Sequence, residues 1–177
     1  LAFISLSNVR GAPAKAIRRV LPARSKTRMA LLTPITAGQP LQYSPQFQYS
    51  LGNPVGVAQS YRYPLPWRGG QYSHFGPKNR CAMDIAMPVG TPIIAARAGV
   101  VVKVENSQSG RGTDPSGNFV RVLHNDGTMG VYLHLKQGSV SVREGQQVTV
   151  GSPLALSGNT GNSSGPHLHF VVQRNTG

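Results

Sequence analysis

The sequence predicts an all-β chain, mainly antiparallel and arranged as a sheet or sandwich, and three observations support this. Its 177 residues include 21 glycines and 14 prolines, a mixture that suits short strands joined by tight turns. From Gly90 onward, β-branched or alternating apolar segments recur between turn residues. No amphipathic helical stretch comes between them.

Taken in order, residues 1–60 form a β-rich N-terminal module or arm, whole or incomplete. Six prolines, from Pro13 to Pro54, break it into short apolar and Gln/Ser-rich pieces. ALLTPITAG and LQYSPQFQYSLGNP read as strands interrupted by turns. The opening LAFISLSNVRGAPAKA has an apolar segment followed by small residues, as a trimmed leader would, but it reads better as an ordinary strand. YRYPLPWRGG then serves as a linker that packs a tyrosine and Trp67 against the strands C-terminal to it, and residues 61–177 form the second domain. Its strands are expected in TPIIAA, GVVVKVEN, NFVRVLHN, TMGVYLHL, SVSV, QQVTV, SPLALSG and HLHFVVQ. HNDGT, between two such runs, is a hairpin signal.

Charge and cysteine content narrow the function. Eighteen Lys and Arg face five acids, a net charge of +13, and every charged residue before Asp84 is basic. Such a chain concentrates near polyanions, whether anionic lipid, nucleic acid or an acidic envelope. Specific nucleic-acid binding lacks a basic helix, a zinc-finger spacing or an aromatic-basic strand signature. No apolar run approaches the roughly 20 residues of a membrane span. Cys81 is the single cysteine, so no intrachain disulfide is available and the compartment stays open on this feature.

The chemistry-bearing residues are few. SSGPHLHF places His167 and His169 at i and i+2, which on a strand share one face, while Leu168 and Phe170 point to the other. That suits a metal ligand beside a second imidazole; a pair of exposed strand histidines is the competing reading. In VYLHLK, strict alternation puts His134 on the face of Tyr132. His124 ends a strand beside a turn, and His74 lies in the loop-like QYSHFGP. Asp84, in CAMDIAMPVG, is the acid that needs an explanation. Its neighbours are apolar, and a carboxylate there costs several kcal/mol unless it is paired, hydrogen-bonded or bound to a metal. The other four acids stand in turn-like or polar contexts. Asp84 plus two histidines meets the needs of a catalytic zinc, which takes three protein ligands and leaves a fourth position for water. An Asp–His hydrogen bond in a core is the alternative.

From Ser73 to Arg174 the sequence resembles the lysostaphin-type zinc endopeptidases of peptidoglycan. SHFGPKNRCAMDIAMPVGTPIIAARAGVVVKV, GNFVRVLHNDGTMGVYLHL and GQQVTVGSPLALSGNTGNSSGPHLHF occur in the family's order. The resemblance implies one zinc per chain on His74, Asp84 and His169, with His134 and His167 as catalytic partners acting on the water and the oxyanion. Many members carry the first histidine four residues before the aspartate, where this chain has Arg80. His74 follows a branch with a longer spacing, His124 is the fallback ligand, and Cys81 is a remote one better read as a packed thiol. The resemblance also implies peptidoglycan stems or cross-links as substrate and a periplasmic, cell-envelope or secreted bacterial setting. The basic surface fits anionic envelope polymers as partners. The rivals are a non-catalytic wall-binding or regulatory relative and a polyanion-binding module. The chain stops soon after the last motif, where the family often continues with further strands, so a fragment is an open reading. Two glycine-rich loops, SGRGTDPSGN and SGNTGNSSGP, are expected to wall a substrate groove because their backbone allows close approach.

Overall fold

The computed structural model describes residues 1–21, 25–52, 60–67 and 82–174. The chain divides into two compact units, Leu1–Ser50 and Leu51–Gly177. Among the described residues every regular element is a strand.

In the first unit β1 (Ala2–Ser7) pairs antiparallel with β4 (Gln42–Gln46), and β2 (Val9–Arg10) with β3 (Thr33–Pro34). Asn8 sits between β1 and β2 at φ 54°, a left-handed conformation that asparagine tolerates better than most residues. Its side-chain oxygen accepts from the Ile35 and Thr36 amides at 3.1 and 2.7 Å, and its amide donates to the Thr36 and Gln39 carbonyls at 3.1 Å each. One side chain thus satisfies a whole turn.

The second unit holds a six-stranded antiparallel sheet in the order β10-β7-β8-β9-β12-β5. Its strands are β5 (Ala82–Ala86), β7 (Gly99–Glu105), β8 (Asn118–Leu123), β9 (Thr128–Leu135), β10 (Gln147–Val148) and β12 (His167–Arg174). A separate pair, β6 (Pro92–Ile94) with β11 (Pro153–Leu156), adds Ile93, Leu154 and Ala155 to the core. The sheet contributes Ile85, Val101, Val120, Val122, Tyr132, Leu168 and Phe170, all at most 2% exposed. Each such aliphatic or aromatic side chain is worth about 1.5–3 kcal/mol of burial. Trp67 is 4% exposed in the same core, bridges to Ile93, and follows Pro66, whose carbonyl accepts from the Ile94 amide at 3.0 Å. Trp67 therefore packs on strands C-terminal to it, as expected, and Tyr63 lies against the same core, its ring centre 6.2 Å from that of Phe170.

Most of the expected strands form, including the β8–β9 hairpin, where Gly127 takes φ 80° in the turn. SVSV does not. Ser139–Val142 runs as an irregular segment that places Val142 in the core and donates the Ser141 amide to the Leu154 carbonyl at 2.9 Å. Conversely, AMDIA forms a strand that pairs antiparallel with β12 and is the edge of the sheet among the described residues.

Strict alternation fails at one place that matters. Along β8–β9, Asn118 opposes Leu135 and Val120 opposes Tyr132, so Leu133 and His134 together face Phe119. This is a β-bulge, and His134 is its left-handed residue at φ 60°. The extra residue turns the strand, so Tyr132 and His134 point to opposite faces. Tyr132 packs on Phe170 in the core, ring centroids 4.9 Å apart, whereas His134 meets His167 and His169 at 4.7 and 6.0 Å.

Candidate active site and metal centre

β12 alternates as its sequence suggests. Leu168 and Phe170 are buried, and His167 and His169 share the other face at intermediate exposure. The register of β12 against β5 sets His169 directly opposite Asp84. Cross-strand partners lie about 4.5–5.5 Å apart at Cβ, close enough for the side chains to meet. His169 Nδ1 lies 2.6 Å from Asp84 Oδ1, and His167 Nε2 lies 3.7 Å from the same oxygen. The bulge in β9 then brings His134 over the pair.

The three histidines differ in what holds them. His134 Nδ1 is 2.8 Å from the Thr160 carbonyl. His167 Nδ1 is 2.7 Å from the Gly165 carbonyl and 3.1 Å from Ser163 Oγ. A carbonyl only accepts, so in both rings Nδ1 carries the hydrogen and, in the neutral ring, Nε2 carries the lone pair. His169 instead turns Nδ1 toward a carboxylate. Burial, followed by the nearby His167 and His169, holds His134 below the ordinary imidazole range despite the opposing pull of the Thr160 carbonyl and Asp84. It is therefore neutral at neutral pH, and its Nε2 can accept a proton.

The donor set suits zinc, which takes imidazole nitrogen and carboxylate oxygen. Asp84 Oδ1 and His169 Nδ1 are in direct contact at 2.6 Å. Among the described residues they form a pair and not a complete set of three ligands. His74, Arg80 and Cys81 lie outside the described residues.

His124 is not part of this cluster. It sits at the opposite end of the β8–β9 hairpin, 3% exposed, with Nδ1 2.9 Å from the Ala98 carbonyl. Beside it is a second polar centre that the sequence reading missed. Arg97 Nη1 pairs with Asp126 Oδ2 at 2.9 Å, with side chains 7% and 1% exposed, and the guanidinium lies 4.4 Å from the Tyr61 ring centre. Asp84, at 24%, is far less buried than Asp126. An apolar neighbourhood in sequence therefore misjudged which acid is shielded. Asp126 is enclosed by a turn, and its partner Arg97 lies 29 residues away in the chain.

The family model that matches this chain is Peptidase family M23, over residues 78–177, which takes in both strands of the Asp84–His169 pair. The chain belongs to peptidase family M23. Within that family it is similar to the peptidoglycan DD-endopeptidase ShyA of Vibrio cholerae, 38% identical over 121 residues, which cover 63% of this chain and 26% of that protein. It is also similar to lysostaphin of Staphylococcus simulans, 37% identical over 109 residues, which cover 61% of this chain and 19% of that protein. The M23 chain thus spans about a quarter or less of the length of these curated relatives. Among solved structures it matches a Pseudomonas aeruginosa protein assigned to peptidase M23. That match has TM-score 0.54 and 32% identity, and it covers 73% of this chain and 50% of that one.

Proposed function

We propose that this chain is a zinc-dependent endopeptidase that hydrolyses peptide bonds in the stems or cross-links of peptidoglycan. One observation carries the reading: two imidazoles, His134 and His167, are each held by Nδ1 on a backbone carbonyl and stand beside the Asp84–His169 pair. A core hydrogen bond between Asp84 and His169 alone would need neither of them. Membership of a zinc-dependent family supports the metal, and the names of ShyA and lysostaphin support the substrate class.

In this reading His74, Asp84 and His169 hold one zinc ion per chain. When bound, the ion would supply a Lewis acid for the scissile carbonyl and would lower the pKa of a water to about 7. The remaining work falls to the chain's own residues. His134 Nε2, unprotonated at neutral pH, accepts the proton of the attacking water. His167 presents a second Nε2 within the same ring cluster. Together they orient the water, hydrogen-bond the developing oxyanion when protonated, and return the proton to the leaving amine. Positioned acid–base groups contribute roughly 10²–10⁴ in rate.

The basic residues have a separate role. Eleven Lys and Arg precede Asp84, the first acid, and they hold the protein on anionic polymers of the bacterial envelope, outside the cytoplasm where peptidoglycan is found. No helix among the described residues is long and apolar enough to cross a membrane.

Digestion of defined muropeptides, with and without a chelator, tests the proposal. Peptide-bond cleavage that a chelator abolishes and zinc restores is expected. A folded, zinc-loaded protein that leaves every stem and cross-link intact would refute it.

A further inference from the structure

The two histidines assigned to proton transfer share a feature that β12 and β9 do not explain. Both are anchored by the same loop. The Thr160 carbonyl takes the Nδ1 hydrogen of His134, and the Gly165 carbonyl, five residues on, takes that of His167. The loop is itself built as a rigid piece. Thr160, 7% exposed, accepts at Oγ1 from the Asn118 amide at 2.9 Å and donates from Oγ1 to the Leu135 carbonyl at 2.8 Å. Asn118 is fully buried. Its side chain is fixed in turn, taking the Gln108 amide at 2.8 Å and donating to the Gln108 carbonyl at 2.9 Å. Two further bonds tie this loop to the other glycine-rich loop, from the Gly161 amide to the Gly110 carbonyl and from the Asn162 amide to the Pro115 carbonyl. The loops touch so closely that a Cβ on Gly117 would come within 2.4 Å of the Thr160 carbonyl oxygen.

We propose that the loop Gly158–Gly165 is a clamp that fixes both histidines in the Nδ1–H tautomer, with the Thr160 hydroxyl as the positioning group that aims the carbonyl holding His134. The inference rests on the reading of His134 and His167 as the groups that handle the water. Its physical basis is that only one neutral tautomer leaves Nε2 able to accept a proton. In solution both tautomers form, so the site needs a fixed acceptor at Nδ1. A backbone carbonyl serves only if the backbone cannot turn away. The Thr160 side chain, bonded to β8 on one side and β9 on the other, prevents that turn.

Three variants of the whole chain, loaded with zinc, test the clamp: Thr160→Val, Thr160→Ser and Gly117→Ala. Valine keeps the shape and removes the hydroxyl. Serine keeps the hydroxyl. Alanine at 117 pushes on the Thr160 carbonyl from the other loop. Ring tautomers are read from two-bond proton–nitrogen NMR spectra of the histidines, alongside zinc content, kcat and KM on a defined muropeptide. In Thr160→Val the Nδ1–H signature of His134 is expected to give way to a mixture. Zinc content and KM should stay near the parent values, and kcat should fall about 10–100-fold, the usual cost of losing an orienting partner. Thr160→Ser should restore both tautomer and kcat, and folded Gly117→Ala should lose the tautomer as the valine variant does. An unchanged His134 tautomer in either Thr160→Val or Gly117→Ala overturns the clamp, whatever happens to kcat. A changed tautomer with undiminished kcat leaves the clamp standing and overturns instead the assignment of His134 to catalysis.

Discussion

Asp84 and His169 are direct cross-strand partners at the edge of the six-stranded sheet, with Oδ1 and Nδ1 2.6 Å apart. Neither residue is displaced along its strand, so the pair is a consequence of register. If it forms part of a zinc site, His169→Ala should lose stoichiometric zinc by metal analysis, and Asp84→Ala should do the same. Full zinc retention in either variant would remove that residue from the ligand set. His74→Ala separately tests the residue whose spacing departs from the commoner family pattern.

His134→Ala and His167→Ala are expected to part metal content from activity. On the reading of both rings as partners of the water and not of the metal, zinc should stay while muropeptide cleavage drops roughly 10²–10⁴-fold. Loss of zinc in either variant would make that histidine a ligand. Parent activity would free it of any role in the chemistry.

Stability depends on a centre far from the site. Asp126→Ala leaves the Arg97 guanidinium buried without its carboxylate and also removes the acceptor of the Thr128 amide and hydroxyl. Breaking a buried pair by deleting one partner costs about 3–5 kcal/mol. Urea unfolding should show a loss of that size. A loss under about 1 kcal/mol, typical of exposed pairs, would mean that water reaches the Arg97 site in solution.

His124 gives this centre a pH dependence. Burial, then the Arg97 charge, hold its pKa below the ordinary value against the pull of the Ala98 carbonyl and Asp126. The unfolded chain therefore takes up a proton first. The contribution of neutral His124 to stability is complete above about pH 6.5 and is lost as pH falls from there through the lower folded pKa. The melting temperature should drop between pH 7.5 and 5.5, and less steeply for His124→Gln, with the same direction expected from His134. Equal slopes for parent and variant would assign the acid sensitivity elsewhere.

Salt should separate anchoring from chemistry. Attraction between exposed charges is screened over about 8 Å at physiological ionic strength, so binding to whole sacculi should weaken steeply as salt rises. Cleavage of a small neutral cross-link peptide should change much less. Parallel salt curves for the two would show that the basic residues before Asp84 do not anchor the protein.

How much of this was legible in the sequence differs from residue to residue. The all-β class, the hairpin at HNDGT and the shared face of His167 and His169 follow from local rules, because strand alternation and turn chemistry act over two to five residues. Asp84, His134, His167 and His169 could be named as candidates because their residue types carry the chemistry. Tertiary structure decided three other matters. The bulge at Leu133–His134 turns His134 away from Tyr132, and a bulge depends on how two strands pair, which one strand's alternation cannot show. The burial of Asp126 depends on Arg97, 29 residues away, while Asp84, set among apolar neighbours, stays a quarter exposed. The tautomers of His134 and His167 depend on two backbone carbonyls, Thr160 and Gly165. A carbonyl is common to every residue, so only the packing of one loop on another determines which of them faces an imidazole.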